Sequence, residues 1–217
     1  MRFLLKGMSA VDPALLAHAS EFVGDGAVVW DVGANVGLFS VAAASRARSQ
    51  GRVYAIEPDA WLVGLLRRTA KLQPPDSAQI DVIPCGIARD AGIRTFSIAK
   101  RSRSSNHLVE YGHSQAGGVA EQQTIVTFAL DDLLRWIPAP SVVKVDVEGA
   151  EAEVLQGARV LLEEHRPVVI LEVGEQGAAE VTHILKSRSY CLFDGETPGP
   201  SRRPIDRATW NTIAVPA

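Results

Sequence analysis

The sequence predicts an α/β fold in which helices cover both faces of a parallel sheet. Short runs rich in β-branched residues alternate with longer stretches of helical periodicity, which is the pattern of such a fold. The length of 217 residues fits one domain with added connections, and 47% hydrophobic with 22% charged residues is ordinary for a globular protein. A formal net charge of −3 gives no overall positive field toward nucleic acid or an anionic membrane.

The first half of the chain alternates regularly. A first helix is predicted over 13–23, because Asp12 is a good N-cap and Pro13 suits the first helical position. The elements predicted after it are a buried strand at 28–32, a helix at 36–48, a strand at 52–57, a helix at 59–72 and a strand at 79–84. The helix at 59–72 ends there because two prolines follow it.

The second half interrupts this alternation with a polar segment, Lys100–Gln123, that has no clear periodicity. A connection of this length inside a domain is typical of a functional lid or a disordered loop. Strands are predicted on either side of it, at 93–99 and 124–128. The elements predicted beyond are a strand at 141–146, a helix at 150–165, a strand at 168–172, a helix at 178–188, and an antiparallel hairpin of 190–193 with 209–215.

Cysteine usage and the apolar segments bear on localisation. Cys85 and Cys191 are too few for a disulfide framework or a structural zinc site, which favours a reduced, cytoplasmic protein. Lys6 interrupts the apolar start, so no export signal is predicted. The most apolar window, 28–44, contains Asp31 and Asn35, so no transmembrane helix and no membrane partner are predicted.

The most informative motif is the turn between the first predicted strand and the helix after it, V-V-W-D-V-G-A-N-V-G. Gly33 lets the backbone approach a ligand closely, and the helix start offers free N–H groups to a carboxylate. Asp31, just before the turn, is placed to bind an amine. Glu57 ends the next strand, where a carboxylate can accept hydrogen bonds from both hydroxyls of a ribose. Together these features predict a site for a nucleoside cofactor.

The spacing of the glycines distinguishes between cofactors. A dinucleotide site has the pattern G-x-G-x-x-G, whereas this chain has Gly33 and Gly37 with no glycine between them, and it has no G-x-x-x-x-G-K-[ST] loop. An acid near an amine, N–H groups near a carboxylate and an acid on a ribose suit S-adenosylmethionine. A tight turn without any ligand is the structural alternative.

The chain resembles the FkbM family of S-adenosylmethionine-dependent methyltransferases. The matching stretches are D-V-G-A-N-V-G-L-F-S (31–40), V-Y-A-I-E-P (53–58), A-L-D-D-L-L (129–134), V-V-K-V-D-V-E-G-A-E-A-E-V-L-Q-G-A (142–158) and V-I-L-E-V (169–173). The K-x-D-x-E-G-A-E block is the most family-specific of these. The resemblance implies a class I Rossmann-like three-layer sandwich, with a seven-stranded, mostly parallel sheet whose last strand is antiparallel.

The resemblance also implies domains and cofactor contacts. Residues 1–27 are expected to form a helical extension and 28–217 the S-adenosylmethionine-dependent methyltransferase domain, with 100–123 as a candidate substrate lid. The residues expected to hold the methionine part are Asp31, Gly33, Asn35 and Gly37. Glu57 is expected to hold the ribose, and Cys85 and Gly86, after the third strand, to lie beside the adenine.

The expected reaction is methyl transfer to a hydroxyl oxygen of a small molecule, such as a sugar or a polyketide-type natural product. An alcohol attacks better when a base takes its proton. Asp146, which ends a strand at the cofactor edge, is the first candidate for base or substrate anchor, and His107 in the polar segment is the second. Lys144 and Glu148 either act at the site or form an ion pair that fixes the strand end. Glu172 ends the neighbouring strand, and it either contacts substrate or bonds a nearby loop.

Other readings of the same residues remain open. Oxygen ligands for a divalent metal are available, but no tight D-x-D or histidine constellation supports a metal, so none is predicted. The same cofactor site would permit methylation of a nitrogen or a carboxylate. A non-catalytic partner subunit of methyltransferase fold is the alternative from another class, and a nicotinamide enzyme is disfavoured by the glycine spacing.

Overall fold

A computed structural model describes residues 13–100, 106–110 and 118–217. Twelve strands and six α-helices follow one another along these residues. They are α1 (Pro13–Phe22), β1 (Val28–Val32), α2 (Leu38–Ala47), β2 (Arg52–Ile56), α3 (Ala60–Lys71), β3 (Gln79–Ile83), β4 (Gly86–Ile87), β5 (Gly92–Ala99), β6 (His107–Leu108), β7 (Val119–Phe128), α4 (Leu130–Leu133), β8 (Val142–Val145), α5 (Glu151–Gln156), β9 (Val168–Glu172), α6 (Ala178–Ser187), β10 (Tyr190–Asp194), β11 (Pro204–Ile205) and β12 (Asn211–Pro216).

The larger sheet has the strand order β11-β10-β12-β9-β8-β1-β2-β3. Strands β9, β8, β1, β2 and β3 pair in parallel, whereas β12 runs antiparallel to both of its neighbours, β9 and β10. The predicted seven-stranded sheet with a reversed last strand is therefore confirmed. It gains one short strand at its edge, because Leu192 and Phe193 of β10 pair with Ile205 and Pro204.

Both faces of this sheet are covered, as the pattern of short buried strands predicted. On β1 the side chain of Val29 joins the core beneath α1 and α2, while Trp30 joins the core beneath α5 and α6. The same alternation on β2 sends Val53 to one core and Tyr54 to the other. Since successive side chains of a strand point to opposite faces, one apolar run fills two cores.

The polar segment 100–123 is only partly the irregular connection that was predicted. His107–Leu108 forms β6, and β7 begins at Val119, in a second sheet of order β4-β7-β5-β6. The other residues of this segment, 101–105 and 111–117, lie outside the described part. The beginning of β7 was missed because Glu121 and Gln122 both face solvent there, so this part of the strand lacks the apolar alternation that identifies strands. Its backbone pairing with β5 holds it instead.

The helix predicted at 150–165 is wrong in one respect, because it breaks after α5. A separate turn of wider helix spans Leu161–His165. The carboxylate of Asp131 accepts hydrogen bonds from the N–H groups of Val160 and Leu161, both at 2.9 Å, and so starts the second piece. Apolar periodicity continues across the break, so the sequence reads as one helix.

The described part of the chain has no helix suited to crossing a membrane. Each helix there is too short or too polar to span a bilayer.

Candidate active site

A cleft of about 270 Å³ lies at the carboxyl ends of the parallel strands, between the two sheets. Ligands of open α/β sheets bind at this edge. The polar side of the cleft is formed by Gly33, Asn35, Glu57, Asp146, Glu148 and Glu172. The apolar side is formed by Cys85, Gly86, Ile87, Phe96, Leu108 and Ile125, with Asn106 among them. The sequence predicted this edge as the site.

The glycine turn after β1 is tightly constrained. Gly33 has φ +76°, and a Cβ atom at this position would lie 1.8 Å from the backbone oxygen of Asp146. Its N–H and that of Ala34 donate to the carbonyl oxygen of Ile56, each at 3.0 Å. Asn35 follows with φ +53°. Only glycine fits where β1, β2 and the end of β8 meet, and the backbone of this tightly packed turn forms part of the cleft wall.

Glu57 is fixed at the end of β2 by backbone donors. It is 4% exposed, and its Oε2 and Oε1 atoms accept the N–H groups of Asn35 and Asp59, both at 2.9 Å. Burial raises the pKa of Glu57 to about 7, although those two hydrogen bonds act in the opposite direction. A carboxylate held this rigidly is a preorganised acceptor for hydroxyl groups at the cleft wall.

Asp31 and Gly37, also predicted to hold cofactor, lie behind the wall and do not line the cleft. Asp31 is fully buried in β1; the Ser40 hydroxyl donates to its Oδ2, and its Oδ1 makes no hydrogen bond within the described residues. Burial raises the pKa of Asp31, and the nearby ammonium of Lys144 lowers it. Gly37 has φ +88°, and a Cβ atom there would lie 2.5 Å from Cδ1 of Leu66. Contact of these residues with a cofactor stays a prediction.

Asp146 lines the cleft and pairs with Lys144, whose Nζ donates to its Oδ2 at 2.9 Å. The alternative in which Lys144 pairs with Glu148 is therefore wrong. Burial alone would lower the pKa of Lys144, but the carboxylates of Asp146 and Asp31 outweigh it and raise the pKa. Lys144 thus stays a cation, 4.0 Å from Asp31 Oδ1, and compensates the charge of both carboxylates. The carboxylate of Asp146 is thereby held in a fixed position.

Glu148 lines the cleft in a strained backbone conformation. It has φ +54°, a left-handed conformation that is costly for a residue with a side chain. Burial raises the pKa of Glu148 to about 7, and the carboxylates of Asp146, Glu151 and Glu172 add to this effect. Among the described residues no three carboxylate, histidine or cysteine side chains are close enough to hold a metal ion. Glu148 therefore offers a carboxyl group that exchanges its proton near neutral pH.

The opposite wall comes from the second sheet and from the turn after β3. Cys85 and Gly86 line the cleft beside Phe96 and Leu108, and burial raises the pKa of the Cys85 thiol to about 12, so it stays neutral. This wall suits a flat apolar ring. Its second-sheet members were missed by sequence reasoning, because long-range strand pairing brings them to the cleft.

His107 occupies a different position from the one expected. It is buried in β6 at 6% exposure, between Asn106 and Leu108, and only these two neighbours line the cleft. Alternation along the strand turns His107 to the other side. Its role as a base stays a prediction, and this geometry does not bring it to the cleft. Asn106 lines the cleft but was not predicted. The sequence gives only a weak local signal for it, a polar residue beside a short apolar stretch.

Comparisons with known proteins agree with this architecture. The profile of the methyltransferase FkbM domain matches residues 31–192. A curated relative, the hexuronic acid methyltransferase AglP of Haloferax volcanii, is 32% identical over 170 residues. The match covers 76% of this chain and 62% of the relative, so this chain spans less than two thirds of that protein.

Solved structures show the same fold at low identity. The FkbM methyltransferase of Methylobacillus flagellatus KT has a TM-score of 0.53 and 21% identity, over 87% of this chain and 42% of that one. Fibrillarin of Aeropyrum pernix, solved with natively bound S-adenosyl-L-methionine, has a TM-score of 0.54 and 13% identity, over 93% and 76% of the two chains. These likenesses concern the fold alone.

Proposed function

This chain belongs to the FkbM methyltransferase family, and we propose that it transfers a methyl group from S-adenosylmethionine to a hydroxyl oxygen of a small molecule, a sugar or a polyketide-type natural product. The observation that carries the proposal is the cleft itself. Its polar side presents the buried acid Glu57, the backbone of the glycine turn and further carboxylates, and its other side is an apolar wall.

The residues present fit this cofactor. Gly33 and Asn35 bring the backbone of the turn to the cleft lining, and Glu57, fixed by two backbone N–H groups, is an acceptor for ribose hydroxyls. We assign the methionine part to the turn with Gly33 and Asn35, the ribose to Glu57, and the adenine to the wall with Cys85 and Gly86. When bound, the cofactor supplies an electrophilic methyl group on a sulfonium.

The acceptor is proposed from the charge of the cleft. Its described lining contains the carboxylates of Asp146, Glu148 and Glu172 and no lysine, arginine or histidine. This environment repels an anionic acceptor atom and accepts the proton of an alcohol. The relative that methylates hexuronic acid supports a sugar substrate, and a hexuronic acid offers hydroxyl groups as well as a carboxylate. An amine is the second candidate acceptor, since the same carboxylates attract a cation.

Asp146 is proposed to anchor the acceptor hydroxyl. Its Oδ2 is taken by Lys144, which fixes the carboxylate and leaves its other oxygen for substrate. In-line displacement needs the oxygen aligned behind the methyl group with water excluded, so positioning supplies much of the rate. His107, behind the wall, receives no role in contact with the reacting atoms.

Calorimetry with S-adenosylmethionine and S-adenosylhomocysteine tests the cofactor, and a panel of a hexuronic acid, its methyl ester and a neutral hexose tests the acceptor. We expect micromolar binding of both nucleosides and methylation of the neutral acceptors. Asp146→Asn should bind cofactor normally and lose about 100-fold in kcat, while Asp206→Asn, an exposed carboxylate remote from the cleft, keeps full activity. Absence of nucleoside binding by the wild-type protein refutes the proposal.

A further inference from the structure

The second sheet is attached to the loop after β2 by the side chain of Asn106. This residue is 8% exposed. Its Nδ2 donates to Asp59 Oδ2 at 2.9 Å, and its Oδ1 accepts the N–H of Ala99 at 2.8 Å. One end of the amide therefore holds β5 and the other holds the loop that follows β2. Asn106 also lines the cleft directly.

Asp59 connects this contact to the cleft acid. It is fully buried and caps α3, since its Oδ1 accepts the N–H of Trp61 at 2.8 Å. Its own N–H donates to Glu57 Oε1 at 2.9 Å. A continuous path of hydrogen bonds thus leads from Ala99 through Asn106 and Asp59 to Glu57. Buried networks of this kind are rigid when every member has its partner.

We infer that Asn106 is a positioning residue for the nucleoside end of the cleft, which it serves by holding the second-sheet wall against the Glu57–Asp59 loop. The inference rests on the proposed cofactor site. It follows that a nucleoside bound there is enclosed between the two sheets. Breaking the Asn106–Asp59 contact frees the wall and loosens Glu57, so bound nucleoside leaves faster.

The chemistry of the pair allows a reciprocal exchange. Asn106→Asp places two carboxylates against each other and breaks the contact. Adding Asp59→Asn restores it with donor and acceptor reversed, because the amide now at position 59 donates to the carboxylate now at position 106. The amide oxygen at position 59 still accepts from Trp61, and the carboxylate at position 106 still accepts from Ala99. The exchange conserves net charge and side-chain size, so recovery in the double variant depends on restoring this hydrogen bond.

The test measures S-adenosylhomocysteine binding by calorimetry and its release by stopped-flow mixing. Asn106→Asp and the milder Asn106→Ala are expected to raise Kd about tenfold, mainly through faster dissociation. The double variant Asp59→Asn with Asn106→Asp is expected to return within about twofold of the wild type. Gln123→Ala, which removes an exposed contact to Glu121 on the same sheet, serves as control and should bind normally.

The outcomes separate this inference from the proposed function. If the wild-type protein does not bind the nucleoside, both fall. If it binds, and the Asn106 variants bind equally well or lose only thermal stability, Asn106 is a structural residue and the inference alone fails. A double variant no better than Asn106→Asp rules out the hydrogen bond as the route.

Discussion

The two sheets that enclose the cleft differ in how firmly they are held. The larger sheet is buried on both faces, between two extensive apolar cores. The second sheet packs one face on a cluster of five residues, Ala88, Phe96, Ile98, Leu108 and Ile125, and leaves Ile93 and Val126 exposed on the other. Few buried contacts mean a low free energy of local opening. One wall of the cleft is thus rigid, and the other depends on particular contacts.

This difference assigns different tasks to the two walls. The rigid sheet holds the charged groups, whose positions matter most for chemistry. The second sheet supplies apolar surface that covers a ligand, and such surface must open for exchange. Equivalent changes in the two regions are therefore expected to have unequal effects.

The largest effect is expected from two glycines that share one backbone conformation. Gly33 and Gly118 both have φ +76°, but a Cβ atom at Gly33 would meet backbone oxygen, whereas at Gly118 it would meet no described residue within 4 Å. Gly33→Ala is expected to cost about 4 kcal/mol of folding free energy or more, and Gly118→Ala about 1 kcal/mol. Urea denaturation measures both. Equal losses would mean that backbone strain, and not the meeting of β1 with β8, decides the cost.

Loss of an ion pair should also cost more folding free energy in the larger sheet than in the second sheet, although the difference is smaller than for the two glycines. Lys144→Met leaves the buried carboxylate of Asp31 and the half-buried carboxylate of Asp146 uncompensated and is expected to cost about 3 kcal/mol. In the second sheet Glu110→Gln removes a surface partner of Arg94, which keeps Asp90, and should change stability by less than about 0.5 kcal/mol. Denaturation at pH 8 compares them. If Lys144→Met leaves the free energy of unfolding unchanged, the electrostatic role assigned to Lys144 is wrong.

The smallest effect is a pH dependence of nucleoside affinity. Glu57 accepts ribose hydroxyls as a carboxylate, and its pKa is raised to about 7. Affinity for S-adenosylhomocysteine should therefore rise about tenfold between pH 6 and pH 8 and level off above. The pH dependence of folding stability has the opposite sign, because the folded state buries the Glu57 charge. The contribution of Glu57 to stability is complete below about pH 4.5 and is lost as the pH rises through 7.

The pKa of Glu148 is also about 7, so two variants are needed to show which carboxyl group causes the pH dependence of affinity. Glu57→Gln should weaken binding and flatten the profile between about pH 6 and pH 8. Glu148→Gln should keep the slope. The reverse result would place the titrating carboxyl at the acceptor end of the cleft and not beside the ribose.

Local pattern predicted the larger sheet well because burial dominates there. The bounds of β1 and β9 agree with the predicted strands, since each is a continuous run rich in β-branched residues. In the second sheet the strands predicted at 93–99 and 124–128 correspond to β5 and the second half of β7, whereas β6 and the first half of β7 were missed, because β6 is short and that half of β7 is polar, and their stability comes from pairing with β5. Cross-strand pairing over long sequence distances leaves little trace in local composition.

The site residues also differ in whether local sequence could predict them. Gly33 and Glu57 were predicted from their places at a strand end and were found on the cleft wall. Asn106 escaped because its importance arises from contact with Asp59, which is distant in sequence. His107, its neighbour, was predicted instead because an imidazole can act as a base. Residue chemistry indicates candidates, whereas strand alternation decides which of two adjacent side chains faces the ligand.

The place of β12 between β9 and β10 determines which strands have their sheet partners before the chain is fully synthesised. β10 and β11 leave the ribosome before β12, yet in the described sheet β10 joins the parallel strands through β12. Strands β1, β2, β3, β8 and β9 pair with one another and need no later segment. The half of the sheet that carries Glu57 and Asp146 can therefore assemble on the nascent chain. β10 can join it only after β12 has been synthesised, and until then its apolar residues lack their sheet partner.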